Sequence, residues 1–540
     1  MQAEDPLKPE TPSDVLVSEA VAEAVPQDAP ARLRRRAGRA GNQRRGGAAI
    51  RQMPWADVVN TDHPTEPLPP EGVDAIHDGA MRVLEEIGIE FLNDEAIAIL
   101  RDAGCIVHGE NVRMGRDLVM EVLARAPREF TLTPRNPERK ITIGGRHMVF
   151  GNISSPPNCS DIERGRRTGT RADFQDFMRL TQYFNCIHFA GGYPVEPLDI
   201  HPSVRHLDCL FDMLTLTDKV VHAYSLGPER VEDVMEMVRI AGGLTHDEFD
   251  ATPRMYTNIN STSPLKHDWP MLDGAMRLAR RGQPTIVTPF TLAGAMAPVT
   301  MVGAVTQSIA EALGAIVLLQ LIRPGVGVGI GTFTSNVDMK TGAPAFGTPD
   351  YVRATQITGQ MARFYRLPLR SSNACAANTP DNQATWESMM SMWAAVSSGT
   401  NMVYHAAGWL EGGLCASFEK FVMDCEVLQQ FIAYFRPLPT GPEDVAVEAI
   451  REVGPGGHFF GVQHTQDRYE TAFYAPFLSD WSNYENWEEH GAITTVERAN
   501  RACKAILAEY EAPPMDAAIR EELAEFVERR KREGGAPTDF

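Results

Sequence analysis

A chain of 540 residues, 43% hydrophobic and 23% charged, can bury a large core, either as one big domain with additions or as two domains. Its 51 basic and 71 acidic residues leave a formal charge of −20, which argues against broad nucleic-acid binding. Eight scattered cysteines form no C-x-x-C pair, so no disulfide framework is expected and a reducing cytoplasm is the natural compartment.

Residues 1–31 are rich in Pro, Ala and acids and are expected to be disordered. Between Ala31 and Arg51 stand eight arginines and no Asp or Glu, either a solvated tail or an arm that grips an acidic neighbour. Residues 1–51 therefore read as an acidic, then Arg-rich, tail, and their N-terminus lacks the order of a secretory signal. Residues 52–171 read as a cap. Val73, Ile76, Ala80, Val83, Leu84 and Ile87 recur at helix spacing, and the glycines within Ile141–Phe150 suggest a hairpin.

From 172 to 465, helix-length patterns alternate with eight short apolar runs: 186–190, 220–224, 255–259, 285–289, 326–333, 367–371, 402–406 and 458–463. That alternation predicts an α/β fold, a (β/α)8 TIM barrel. Within it, the strongly apolar stretch Ala312–Ile322 is too short to span a bilayer, and no membrane partner is expected. Residues 466–540 read as a C-terminal helical extension in which Ile519, Leu523, Phe526 and Val527 share one face.

A barrel of this kind carries its site at the carboxyl ends of the strands. The residues found there include Tyr193, Tyr224, Asn258, Asn260, Phe290, Phe333, Ser371, Asn373, His405, Trp409, His464 and Gln466, a set dominated by aromatic and neutral polar groups. In Gly325-Val-Gly-Val-Gly-Ile-Gly331 the glycines share one strand face, where either tight packing or a closely approaching ligand would keep them. Thr379-Pro-Asp381 reads as a helix start, and Glu387, a mid-helix acid beside an apolar face, is a candidate to point at the barrel. Neither H-E-x-x-H nor a cysteine-rich zinc pattern occurs, so no protein-bound metal is expected, and the G-x-S-x-G elbow of a triad hydrolase is absent.

Four blocks carry a family pattern: Ile87-Gly-Ile-Glu-Phe91, Thr215-Leu-Thr-Asp-Lys219, the stretch Asn336–Pro349, and Tyr404-His-Ala-Ala-Gly-Trp-Leu-Glu-Gly-Gly413. From about Gly38 to Glu511 the chain resembles the trimethylamine methyltransferase family, corrinoid-dependent enzymes of (β/α)8 fold. Only the twenty standard residues occur, so the chain looks like the branch without pyrrolysine, whose members act on quaternary amines such as glycine betaine.

The resemblance implies methyl transfer from a quaternary or tertiary methylamine to Co(I) of a corrinoid. A quaternary ammonium suits this chemistry, because its leaving group is already a neutral amine. No D-x-H-x-x-G cobalt-ligand motif occurs, so the corrinoid is expected on a separate partner protein, and homo-oligomers are left open. The catalytic candidates are His405, Glu411 and Glu387. Substrate binding is expected at Tyr404, Trp409, Phe333, Asn260 and Asn373. The corrinoid is expected to approach Gly329, Gly331, Ser371, Ala406, Gly408, Gly412, His464 and Gln466. Tyr404 and His405 should point to opposite faces of a regular strand, so that only one reaches the pocket. The alternatives are a non-catalytic binder of quaternary amines and a barrel lyase or hydrolase without corrinoid docking.

Overall fold

A computed structural model describes residues 49–538. The expectation of a disordered acidic and Arg-rich tail falls almost wholly on residues 1–48, outside the described residues. The rest is mixed α/β. Six strands run parallel in the main sheet, in the order His147–Asn152, Met402–Ala407, Leu369–Ser372, Val328–Gly331, Thr285–Val287 and Thr257–Ile259. Val58–Val59 adds an antiparallel edge to the first of them.

The segments around Phe189 and Val220–His222 make single parallel bridges in place of ladders. Phe189 bridges Gly151 and Val220, and His222 bridges Tyr256. Successive members are joined by helices, as parallel strands require. Arg171–Tyr183, Pro202–Leu216 and Pro228–Ala241 lead from the first strand to Thr257, and Trp269–Arg280, Met301–Ile322, Pro349–Tyr365 and Asn382–Ser398 connect the later ones.

Two expectations about the sheet need correction. His458–Gln463 is no strand: Phe459–Gly461 is a 3-10 turn, Gln463 opens a short helix, and Phe460 is 80% exposed. An apolar run without a partner strand has no ladder to join. Its expected place is taken by His147–Asn152, assigned from sequence to the cap. Nor is Ile141–Phe150 a hairpin. Gly144 and Gly145, both at positive φ, turn the chain, but Ile141–Gly144 then pairs with Glu129–Leu132 while His147–Asn152 joins the main sheet.

Three hydrophobic clusters hold the fold. The largest joins the helices Arg171–Tyr183 through Pro228–Ala241 to Phe418–Tyr434 and the C-terminal helices. The second packs Pro70–Arg82, Asp94–Asp102 and Arg116–Leu123 against Met301–Ile322. That helix, longer than the apolar run read from sequence, has the length and composition to cross a bilayer, yet 78% of its apolar window is buried in this packing. The third cluster draws Val149, Phe189, Val220, Tyr256, Ile286, Met402 and Tyr404 from six members of the sheet, so both ends of the strand order meet in one core.

At the C-terminus, Ala517–Arg532 buries Leu523, Phe526 and Val527. Its Lys531 Nζ pairs with Asp208 at 2.7 Å.

Candidate active site

Beyond the carboxyl ends of the parallel strands lies a cavity of about 770 Å³. It is lined by Ser154 and Ser155, Tyr193, Tyr224, Asn260, Phe290, Phe333 and Trp409, which follow successive members, and by His405 from within Met402–Ala407.

The strand Met402–Ala407 is not regular. Its register with His147–Asn152 shifts between Val403 and Ala407, and His405 sits at φ 53°. The bulge turns His405 toward the side that Tyr404 already faces, so both line the cavity, contrary to the alternation expected of a straight strand. A non-glycine residue held at positive φ stores strain, and such outliers cluster at functional sites.

One wall is aromatic. The centroids of His405 and Trp409 lie 4.3 Å apart, and Phe333 stands 5.8 Å from each. Phe290 and Phe346 flank Phe333 at 5.2 and 5.0 Å. Trp409 is locked by an Nε1 hydrogen bond to the Cys375 carbonyl at 3.0 Å, and its ring leans on Gly413, where a Cβ would come within 2.6 Å of it. The His405 Nδ1 lies 3.1 Å from the Ser372 hydroxyl.

The floor is cationic. Arg370 is 4% exposed, with its Cζ 4.3 Å from the Tyr404 ring centroid and 5.6 Å from that of Phe333. Its Nε and Nη1 are buried without a hydrogen-bond partner. Burial pushes the guanidinium below the ordinary arginine range. Among the described residues, what offsets this is the phenols of Tyr404, Tyr351 and Tyr256, not a carboxylate.

Burial, reinforced by Arg370, holds His222 down at about 3 and His405 well below its ordinary value, so both rings are neutral near pH 7. His222 Nε2 accepts from the Asn258 backbone N–H at 3.1 Å, which leaves the proton on Nδ1, itself buried without an acceptor. Beside His222, whose ring centroid lies 4.8 Å from that of Tyr224, burial raises the Tyr224 phenol to about 12, and burial also raises the Glu196 carboxyl against the pull of Arg205, 3.5 Å away.

The cavity gathers Tyr404, His405, Trp409, Phe333, Asn260 and Gly412 from the residues singled out in the sequence. Asn260 is braced by Nδ2 donating to the Thr288 carbonyl at 2.7 Å.

The others sit elsewhere. Glu387 accepts from the backbone N–H of Ala376 and Ala377 at 2.8 and 3.0 Å and from Gln383, fixing the loop after Leu369–Ser372. Asn373 is buried, its Nδ2 donating to the Ala406 carbonyl. Glu411 lies beside the rim, paired with Arg166 at 2.8 Å.

Gly329 and Gly331 leave room for Ile286 and Thr288, which a Cβ at either position would strike, so packing explains them. Ser371 faces Thr400 on the outer side of its strand, whereas Arg370 and Ser372 face inward. Ala406 is buried away from the cavity, and a Cβ on Gly408 would meet Phe421 and Ile153. His464 and Gln466 belong to a six-residue helix outside the sheet, bonded to the carbonyls of Glu443 and Phe460. Arg370 and His222 were missed in the sequence because each sits inside an apolar run, and a lone polar residue there was the available signal.

The family model for trimethylamine methyltransferase (MTTB) matches residues 34–535. Glycine betaine methyltransferase of Desulfitobacterium hafniense is 36% identical over 469 residues, 87% of this chain and 98% of that protein. Proline betaine:corrinoid methyltransferase of Eubacterium limosum is 28% identical, covering 72% of this chain and 81% of the other. The crystal structure of Methanosarcina barkeri monomethylamine methyltransferase covers 85% of this chain and 92% of its own, at 10% identity and a TM-score of 0.46. With a match across nearly all of its length, this chain belongs to the trimethylamine methyltransferase family.

Proposed function

We propose that this protein transfers a methyl group from a quaternary amine to a corrinoid carried by a separate protein. The observation that carries the reading is the aromatic wall of Phe333, His405 and Trp409 on one cavity, in a chain of this family. Ring faces hold a cationic nitrogen by about 1–2 kcal/mol when desolvated, without the ground-state grip of paired carboxylates. Charge on the nitrogen falls as its methyl departs, so a dry and weakly polar wall favours transfer more than water does. The neutral His405 adds to this: a protonated ring there would repel the substrate.

When present, the corrinoid supplies the Co(I) nucleophile. The rim suits a flat ring, since a Cβ on Gly412 would meet only Phe346, at 3.8 Å. The task of this chain is then to orient one N-methyl toward that opening and to exclude water behind it.

The finer fold reading belongs with this proposal. Single bridges at Phe189 and His222 and a core shared by six members support an eight-membered (β/α)8 barrel with the site at its carboxyl end.

Anaerobic mixing of the purified protein with glycine betaine and reduced cobalamin tests the reaction. The expected result is loss of the Co(I) absorbance with release of dimethylglycine. No spectral change with glycine betaine, other betaines, carnitine or choline, even with the cognate corrinoid protein, would overturn it.

A further inference from the structure

A buried guanidinium with two unpartnered N–H groups is costly unless something in the working state accepts them. Arg370 is such a group, and it borders the cavity. His222 adds a second buried donor, its Nδ1–H, close enough to Arg370 to feel its charge, and it too borders the cavity. The Tyr404 hydroxyl, near the Tyr256 phenol and Arg370, is itself buried without a hydrogen-bond partner. Among the described residues the floor therefore presents donors and a positive charge but no carboxylate beside Arg370, while the aromatic wall next to it suits a cation. Phe333 joins the two, within 5.6 Å of Arg370 Cζ and 5.8 Å of both Trp409 and His405.

We propose that Arg370, assisted by the His222 Nδ1–H, anchors a carboxylate of the substrate, so that the pocket selects an onium carboxylate, a betaine, over a simple onium ion. This rests on the quaternary-amine reading of the same cavity and adds a specificity-determining residue to it. The planar guanidinium fork matches a carboxylate, whose oxygens supply the acceptors that both buried donors lack. An onium without a carboxylate would instead set a second positive charge near the buried Arg370 guanidinium and leave its donors unpaired. Anchoring one end of the zwitterion also fixes which face of the ammonium meets the rim at Gly412.

The test compares three ligands by titration calorimetry: glycine betaine, choline, and 3,3-dimethylbutanoate, in which an uncharged carbon replaces the nitrogen. Wild-type protein should bind both carboxylates and should bind choline at least about tenfold more weakly than glycine betaine. Arg370→Met should weaken both carboxylates by about 10- to 100-fold and leave choline unchanged or tighter. Choline binding as tightly as glycine betaine, or no measurable binding of the isostere, would overturn the anchor while leaving the onium reading intact. Binding of the isostere equal to that of glycine betaine, without methyl transfer, would keep the anchor and sink the onium reading. The wild-type comparison decides the matter even if Arg370→Met fails to fold.

Discussion

Trp409 meets the cavity with a ring held on both sides, by its bond to the Cys375 carbonyl and by the bare backbone of Gly413. Trp409→Leu keeps an apolar surface but removes the ring face, so the Kd for glycine betaine should rise about tenfold, the loss expected from one desolvated cation–π contact. The uncharged isostere should be affected less, and an equal loss for both ligands in calorimetry would reduce the wall to simple apolar contact. Four residues away, the constraint on His405 is one of backbone. At φ 53°, Asn is tolerated and a β-branched residue is not. His405→Val should therefore be less stable than His405→Asn by about 1–2 kcal/mol, read as a lower melting temperature, and reversal of that order would remove the bulge from the account.

At the scale of elements, Glu387 separates two explanations of one buried acid. It sits on the helix Asn382–Ser398 and ties that helix to the loop after Leu369–Ser372 through two backbone N–H groups. Glu387→Ala strands those donors, so the protein should lose about 1–3 kcal/mol of stability. The pH profile of any methyl transfer should stay unchanged, and a kcat loss at unaltered melting temperature would restore a catalytic role. Asp381, at the same helix start, accepts from the N–H groups of Gln383 and Ala384, the capping role its residue type suggests. Periodicity made seven of the strand or bridge segments legible, because helix-length patterns separate them. It failed for His147–Asn152, which sits among the cap elements in sequence and finds its parallel partner some 250 residues later in Met402–Ala407. Site residues were legible where strands end in aromatic groups. They slipped by one position at Ser371, because face assignment depends on a register that a sequence does not print.

For the whole molecule, the buried histidines make stability depend on pH. Burial holds His188 and His222 at about 3 and His405 well below its ordinary value, against 6.5 for a free side chain. Below about pH 6.5 the unfolded chain takes up protons that the folded protein refuses. Stability present above that pH is thus lost as pH falls, by about 1.4 kcal/mol per unit for each such histidine. Melting temperatures should drop steeply between about pH 6.5 and 5, and His188→Gln, remote from the cavity, should flatten the slope. A pH-independent melting temperature over that range would contradict the assignment of neutral rings.

These scales converge on one arrangement, a zwitterion lying across the cavity. A crystal structure of the protein with glycine betaine bound tests it most directly. The account predicts the trimethylammonium group against Phe333, His405 and Trp409, the carboxylate on Arg370, and one methyl facing the rim at Gly412. A ligand seated instead between Glu196 and Arg205, or turned with its carboxylate toward Trp409, would contradict it.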